Sequence, residues 1–215
     1  MSEPEFQDYW LNVHAVRYAS RIPQIRRYLI DTRLTAPGET EPPLWSGVAE
    51  IWLANPEEQL ASLQTPEFLE GARRDEPNWA AFWRTVVLDT DAHELRTGPS
   101  GQTWTKLILL AKRAEGLPLP AFRAYSLGAH AQAMLGVPGL RRYVQCHTRD
   151  AFYGVGEAVL DVAFQLCFDD ETALRAALDS VEYRRARADL DLVTEPRYVH
   201  ELVVRENWVI GPQAR

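Results

Sequence analysis

The sequence predicts an α+β chain of two ferredoxin-like units in tandem, each on the plan β-α-β-β-α-β, with the first unit lacking its opening strand. Three observations predict it. Residues 103–148 read as strand, helix, strand. Lys106 to Leu110 is a short apolar run, closed by Gly116, Pro118 and Pro120. Phe122, Tyr125, Ser126, Ala129, His130, Ala133 and Met134 recur at helical spacing, and Gly136, Pro138 and Gly139 end that helix. Residues 140–148 then alternate: Arg141, Tyr143, Gln145 and His147 share one face, while Arg142, Val144 and Cys146 share the other. The second observation is an internal repeat. Phe6, Tyr9, Leu11, His14 and Ala15 recur as Phe122, Tyr125, Leu127, His130 and Ala131, and Pro23, Arg26, Arg27 and Tyr28 recur as Pro138, Arg141, Arg142 and Tyr143. So long a period marks tandem domains rather than a solenoid. The third is the element order that follows each copy.

In chain order, Ser2 is a fitting N-cap, with Pro4 and the acids Glu3 and Glu5 well placed in a first helical turn. That helix runs to about residue 21. A strand follows over 25–34, then a loop over 36–43 rich in Pro, Gly and Glu, then a strand over 46–54. Asn55 caps a helix with Pro56 at its first position, reaching about residue 74 with a break near Pro66. The next strand is expected within 79–89. Residues 89–101 are polar, contain Gly98, Pro99 and Gly101, and read as a linker. The second copy brings strand 104–112, helix 119–135 and strand 140–148. A loop, strand 158–168, helix 170–190 capped by Asp170, and strand 197–209 complete it. Domains are expected at 1–98 and 102–215. Nothing of strand character precedes the helix at Ser2, and that leaves either a sheet edge or an uncovered core face, for the last strand of unit one, the linker region or another chain to cover.

Hydrophobic residues make up 46% of the 215, with 7 Trp, 8 Tyr and 7 Phe, which is ample for packed cores. The net charge is −7 and no Lys/Arg tract runs along one element, so no nucleic-acid partner is expected. No apolar run approaches the ~20 residues of a membrane span. The two cysteines, Cys146 and Cys167, lie in one copy and make no disulfide framework. The acidic start, Met1 to Glu5, lacks the regions of a signal peptide. A cytoplasmic location is expected.

Three stretches resemble the EthD family. They are Tyr125 to Ala131 with His130, Pro138 to His147 with Tyr143, and Asp161 to Asp169. The first copy keeps Tyr9, Trp10, His14 and Ala15, and Gly47, Ala49, Glu50 and Trp52. Val162 stands where the pattern has Gly, and Ser46 where it has Asp. The resemblance covers nearly the whole chain. It implies the dimeric α+β barrel, here formed by two units of one chain. Members and relatives of that fold include polyketide cyclases, cofactor-free monooxygenases, muconolactone isomerases and proteins linked to ether degradation. It fixes fold better than reaction.

The candidate site lies in the second unit. His14 and His130 each sit on the apolar stripe of a helix, four residues after Trp10 and Ser126. Such a His is either a core residue with a satisfied bond or a pocket acid/base, since imidazole titrates near pH ~6.5. The strand after each helix discriminates. Unit two offers Arg141, Tyr143, Gln145 and His147; unit one offers Arg26, Tyr28, Ile30 and Thr32. The polar row suits polarising a carbonyl or hydroxyl and moving a proton. His130, Tyr143, Gln145 and His147 are therefore the candidate catalytic residues. Arg141, His14, Tyr28 and Trp10 are the candidate substrate contacts. No third ligand joins His130 and His147, so no metal is expected, and no phosphate loop or nucleophile elbow is present, so no cofactor is expected. His93 reads as a surface or strand position.

The expected function is a cofactor-free enzyme, a cyclase, isomerase, dehydratase or lyase, acting on a small hydrophobic, cyclic or polyketide-like molecule. A cofactor-independent monooxygenase and a non-catalytic binding protein for an apolar ligand are the rivals. A homodimer is possible.

Overall fold

The computed structural model describes residues 1–35, 43–99, 102–154 and 156–213. Of the sequence expectations, the loop 36–43 (apart from Pro43) and Gly101 of the linker lie outside these residues. The described part is α+β, and every strand pairing with a defined register is antiparallel. Contacts divide it into residues 1–85 with 205–215, and residues 86–204.

Unit one opens with α1 (Glu3–Tyr9). Ser2 caps it in a full capping box: its Oγ accepts the Glu5 amide, and Glu5 accepts the Ser2 amide at 2.7 Å. The helix widens into a π turn over Trp10–His14 and resumes as α2 (Ala15–Arg17). Strands β1 (Arg27–Arg33) and β2 (Gly47–Trp52) pair with Tyr28 opposite Ile51 and Ile30 opposite Ala49. Asn55 caps α3 (Pro56–Ser62) as its sequence position implies. A π turn over Glu67–Ala72 then leads into α4 (Arg73–Asp75). The core gathers Trp10, Ala15, Ile22, Ile25, Tyr28, Ile30, Ala72 and Ile210, with Phe6 and Trp79 against it. No described strand precedes α1, and β2 ends its sheet. Ile51 on that edge is 45% exposed.

Unit two contains β3 (Thr90–Arg96), β4 (Thr105–Arg113), β5 (Arg142–Thr148) and β6 (Val162–Phe168). It also holds the first part of β7 (Thr194–Ile210), whose last residues from Arg205 belong to unit one. The strand order is β7-β4-β6-β5-β3. Helix α5 (Leu119–Tyr125) passes through a π turn, Ser126–His130, into α6 (Ala131–Leu135). Asp170 caps α7 (Glu171–Leu178). Ser180 then recaps the chain as α8 (Val181–Asp191), so the single helix expected over 170–190 is two. By period two, Leu107, Leu109, Tyr143, Phe164, Leu166 and Phe168 face the helices and meet Phe122, Met134, Leu174 and Leu190. Lys106, Val144, Cys146, Gln165 and Cys167 alternate with them, and neither cysteine is in a disulfide.

The stretch 89–101 is not a linker. Residues 90–96 form β3, paired with β5 from Thr90 opposite Thr148 to Arg96 opposite Tyr143. The strand expected within 79–89 is absent among the described residues there, and Phe82–Arg84 make a 3₁₀ turn instead. The reason lies in composition. Thr90, Asp91, His93, Glu94 and Arg96 are polar because an edge strand is wet, and a polar strand reads as a loop. None of the described helices is long and apolar enough to cross a membrane.

Candidate functional site

The helix carrying His130 owes its geometry to the π turn. In an α-helix, residues five apart point ~140° away from each other. The wider i→i+5 turn brings Tyr125 and His130 round to one partner. That partner is Asp189 on α8. His130 Nδ1 lies 3.0 Å from Asp189 Oδ2, and the Tyr125 hydroxyl donates to Asp189 Oδ1. The His130 ring is fully buried, edge-on to Phe164 with centroids 5.3 Å apart, and its Nε2 has no hydrogen-bond partner in the protein. Burial pulls the imidazole pKa below its ordinary value, with Asp189 opposing. The ring is therefore neutral near pH 7. Its Nδ1 proton goes to Asp189, and a lone pair remains on Nε2. The bond from Tyr125 to Asp189 raises the Tyr125 hydroxyl.

Unit one repeats the arrangement. Tyr9 OH donates to Asp75 Oδ1 at 2.8 Å, and His14 Nδ1 lies 2.9 Å from Asp75 Oδ2. Ala15 N–H bonds to Trp10 O across the π turn. Burial would raise the Asp75 carboxyl, but bonds from Asn78, His14 and Tyr9 outweigh it and hold the pKa below the usual range. Burial lowers His14, against Asp75. One contact sets this unit apart. The indole Nε1 of Trp79 lies 3.0 Å from His14 Nδ1, with ring centroids 4.4 Å apart. A proton on Nδ1 shared with Asp75 leaves that nitrogen no lone pair for the indole. Trp10 donates to the Tyr28 hydroxyl at 3.3 Å and stacks on Trp79. The candidate contacts Trp10, Tyr28 and His14 therefore sit in a packed aromatic core.

The row on β5 forms a second network in unit two. Gln145 is its hub. Its Oε1 accepts from Ser126 Oγ at 2.7 Å and faces His147 Nε2 at 2.9 Å. Its Nε2 donates to the Ser126 carbonyl and to the Tyr143 hydroxyl, both at 2.8 Å. The Ser126 carbonyl can only accept, so the nearby Gln145 atom must be nitrogen, and the amide orientation follows. His147 must then carry its proton on Nε2 and a lone pair on Nδ1, which has no protein partner. Burial, then the charges of His93 and Arg123, push the His147 pKa down to about 4. Burial pushes the Tyr143 hydroxyl above its ordinary range, so it stays an O–H donor.

The structure thus gathers Tyr143, Gln145 and His147 with Ser126. It places His130 on the same side of the sheet, over Phe164, which lies opposite Gln145. Arg141 is elsewhere: it precedes β5, is exposed, and pairs with Asp169 at 2.6 Å. Sequence reasoning missed Asp75 and Asp189. The repeat carried the signal, since Arg73-Arg74-Asp75 and Arg187-Ala188-Asp189 fall at nearly the repeat offset. It also missed His93, whose ring stands edge-on to His147 at 5.5 Å. Among the described residues no group of three His, Cys, Asp or Glu could hold a metal.

The family model described as the EthD domain matches residues 1–82, the stretch that contains Tyr9, His14 and Asp75. The first part of the chain is thus similar to the EthD domain. No curated protein matches the chain. Among solved structures, the chain is similar to an anthrone oxidase-like protein, with 14% identity over 96% of this chain and 87% of that one and a TM-score of 0.63. A putative monooxygenase from Lactobacillus acidophilus matches with 12% identity over 97% and 90%, TM-score 0.50. Another from Fusobacterium nucleatum matches with 7% identity over 95% and 84%, TM-score 0.53. At such identities these likenesses show the fold alone.

Proposed function

We propose that the chain is a cofactor-free enzyme that moves a proton on a small hydrophobic, cyclic or polyketide-like molecule, as a cyclase, isomerase, dehydratase or lyase does, with His130 as the base. One observation carries this. Asp189 takes the Nδ1 proton of His130, while Nε2 is buried and has no protein partner. An oriented neutral imidazole with a spare lone pair is what general-base chemistry requires. Asp189 stabilises the imidazolium that forms, and Tyr125 holds Asp189 in place. The Tyr143 hydroxyl, kept protonated by burial, is a donor for a substrate carbonyl. Phe122, Met134 and Phe164 make the layer apolar, which suits a hydrophobic substrate. His130 is fully buried, so the substrate must part helix from sheet to reach Nε2.

The same proton removal also opens a cofactor-independent monooxygenation, in which the carbanion reacts with dioxygen. The likeness to an anthrone oxidase-like protein and to putative monooxygenases favours this second reading. We also read the chain as duplicated EthD-like domains, 1–98 and 102–215. The recurrence of Tyr9, His14 and Asp75 as Tyr125, His130 and Asp189 supports the duplication.

The test is turnover of lactones, quinones and anthrone, in air and without oxygen, by wild type and His130→Ala. Turnover that persists without oxygen and falls in His130→Ala supports the proton-transfer enzyme. Turnover that needs oxygen assigns the monooxygenase. Binding without turnover on the whole panel assigns a binding protein and sinks both enzyme readings.

A further inference from the structure

We infer that the His147 end of unit two is a binding site for the hydroxyl group of an aromatic or enolic ligand, held between His147 Nδ1 and Arg123 Nε. This rests on reading the unit as the seat of small-molecule chemistry, and it names the substrate class.

Two unmet hydrogen-bonding atoms of opposite kind lie at this end. His147 spends its Nε2 proton on Gln145, so its buried Nδ1 is an acceptor without a partner. The Arg123 Nε–H is a buried donor without a partner. The two belong to one place. Arg123 Nη2 donates to the carbonyl of Thr148, the residue after His147, and the Arg123 charge acts on the His147 ring. Buried atoms left unmet are costly, so they call for a shared partner.

That partner must accept from Arg123 and donate to His147. A hydroxyl does both; an ether or a ketone can only accept, and a carboxylate cannot donate. Charge points the same way. Asp150 already pairs with Arg123 at 2.6 Å, so the guanidinium does not call for an anion. Flatness follows from the neighbours. The Phe122 ring lies 6.3 Å from His147 and the His93 ring 5.5 Å, both edge-on, so an aryl or enol ring fits better than a flexible chain.

The probes are 1-naphthol, 1-methoxynaphthalene and naphthalene. Binding is followed by calorimetry, with the ¹⁵N shift of His147 Nδ1 read in parallel. Wild type should prefer 1-naphthol over the ether by about 10-fold, the worth of a neutral hydrogen bond, and the Nδ1 signal should move with 1-naphthol alone. Arg123→Lys and His147→Phe, each shown to be folded, should abolish the preference while naphthalene binding stays. Equal binding of naphthol and ether, a preference that survives both substitutions, or no binding of any probe overturns the inference. So does an Nδ1 signal that is unmoved, as it would be with water as the only guest. None of these results bears on the His130 base, whose readout is turnover.

Discussion

Acidification should loosen this protein through His147, and the structure gives the size of the effect. The ring is 2% exposed, its Nε2 proton goes to Gln145, and its Nδ1 has no protein partner. A proton on Nδ1 would create a buried donor with no acceptor and a charge beside Arg123. Burial first, then His93 and Arg123, lower the pKa from 6.5 to about 4, with Asp161 opposing. The folded value lies below the unfolded one, so the unfolded chain takes up the proton first. Stability from this residue is fully present above pH ~6.5 and is lost as pH falls toward 4. At ~1.4 kcal/mol per pH unit, that window removes about 3 kcal/mol. His14 and His130 are also lowered by burial and add in the same direction. The assay is urea unfolding between pH 7.5 and 4.5 of wild type and His147→Phe, which cannot titrate. His147→Phe should be the less stable at pH 7.5, and the gap should close by about 2.5 kcal/mol by pH 4.5. Parallel stability curves, or an NMR titration of His147 near pH 6.5, would refute the reasoning.

Other outcomes follow from the two networks. His130→Ala should lower turnover by roughly 10²–10⁴-fold. His14→Ala should spare turnover and cost ~1–3 kcal/mol of stability; reversal of this pair would move the site to unit one. Asp189→Asn should weaken catalysis while leaving the fold, because an amide can offer its N–H to Nδ1 and favour the wrong tautomer; an unchanged pH–rate profile would show that Asp189 does not orient the base. Gln145→Leu should cost roughly 2–5 kcal/mol, since it strips partners from buried Ser126, Tyr143 and His147 together; a loss under ~1 kcal/mol in urea unfolding would mean that the hub is not a hub.

What the sequence disclosed depended on how local each signal was. The caps Ser2, Asn55 and Asp170 were legible because a cap acts on amides three residues away. The row Tyr143, Gln145 and His147 was legible because a strand alternates, and its polarity against Ile30 and Thr32 could be read by eye. β3 was not legible, since an edge strand with a wet face carries the composition of a loop. Arg141 does not join the row because it lies at the sheet's end, where its backbone N–H bonds to the Cys167 carbonyl but its side chain turns to Asp169 in solvent. The Asp partners escaped for a different reason. The sequence pattern lists Tyr125 and His130 on one helical stripe, but the carboxylate that the π turn brings them both to comes from a helix some sixty residues on, beyond the reach of any local signal. Their recurrence in unit one cuts both ways. Duplication copies a latch as readily as a base, so the Tyr-His-Asp set alone does not separate structure from chemistry. The two units differ in what surrounds the ring. In unit two Nε2 of His130 has no partner, beside a polar row with a protonated Tyr143. In unit one, aromatic rings crowd His14, and the matching row ends in Ile30 and Thr32. The His130→Ala and His14→Ala pair therefore tests whether the set is a latch in both units or a base in unit two.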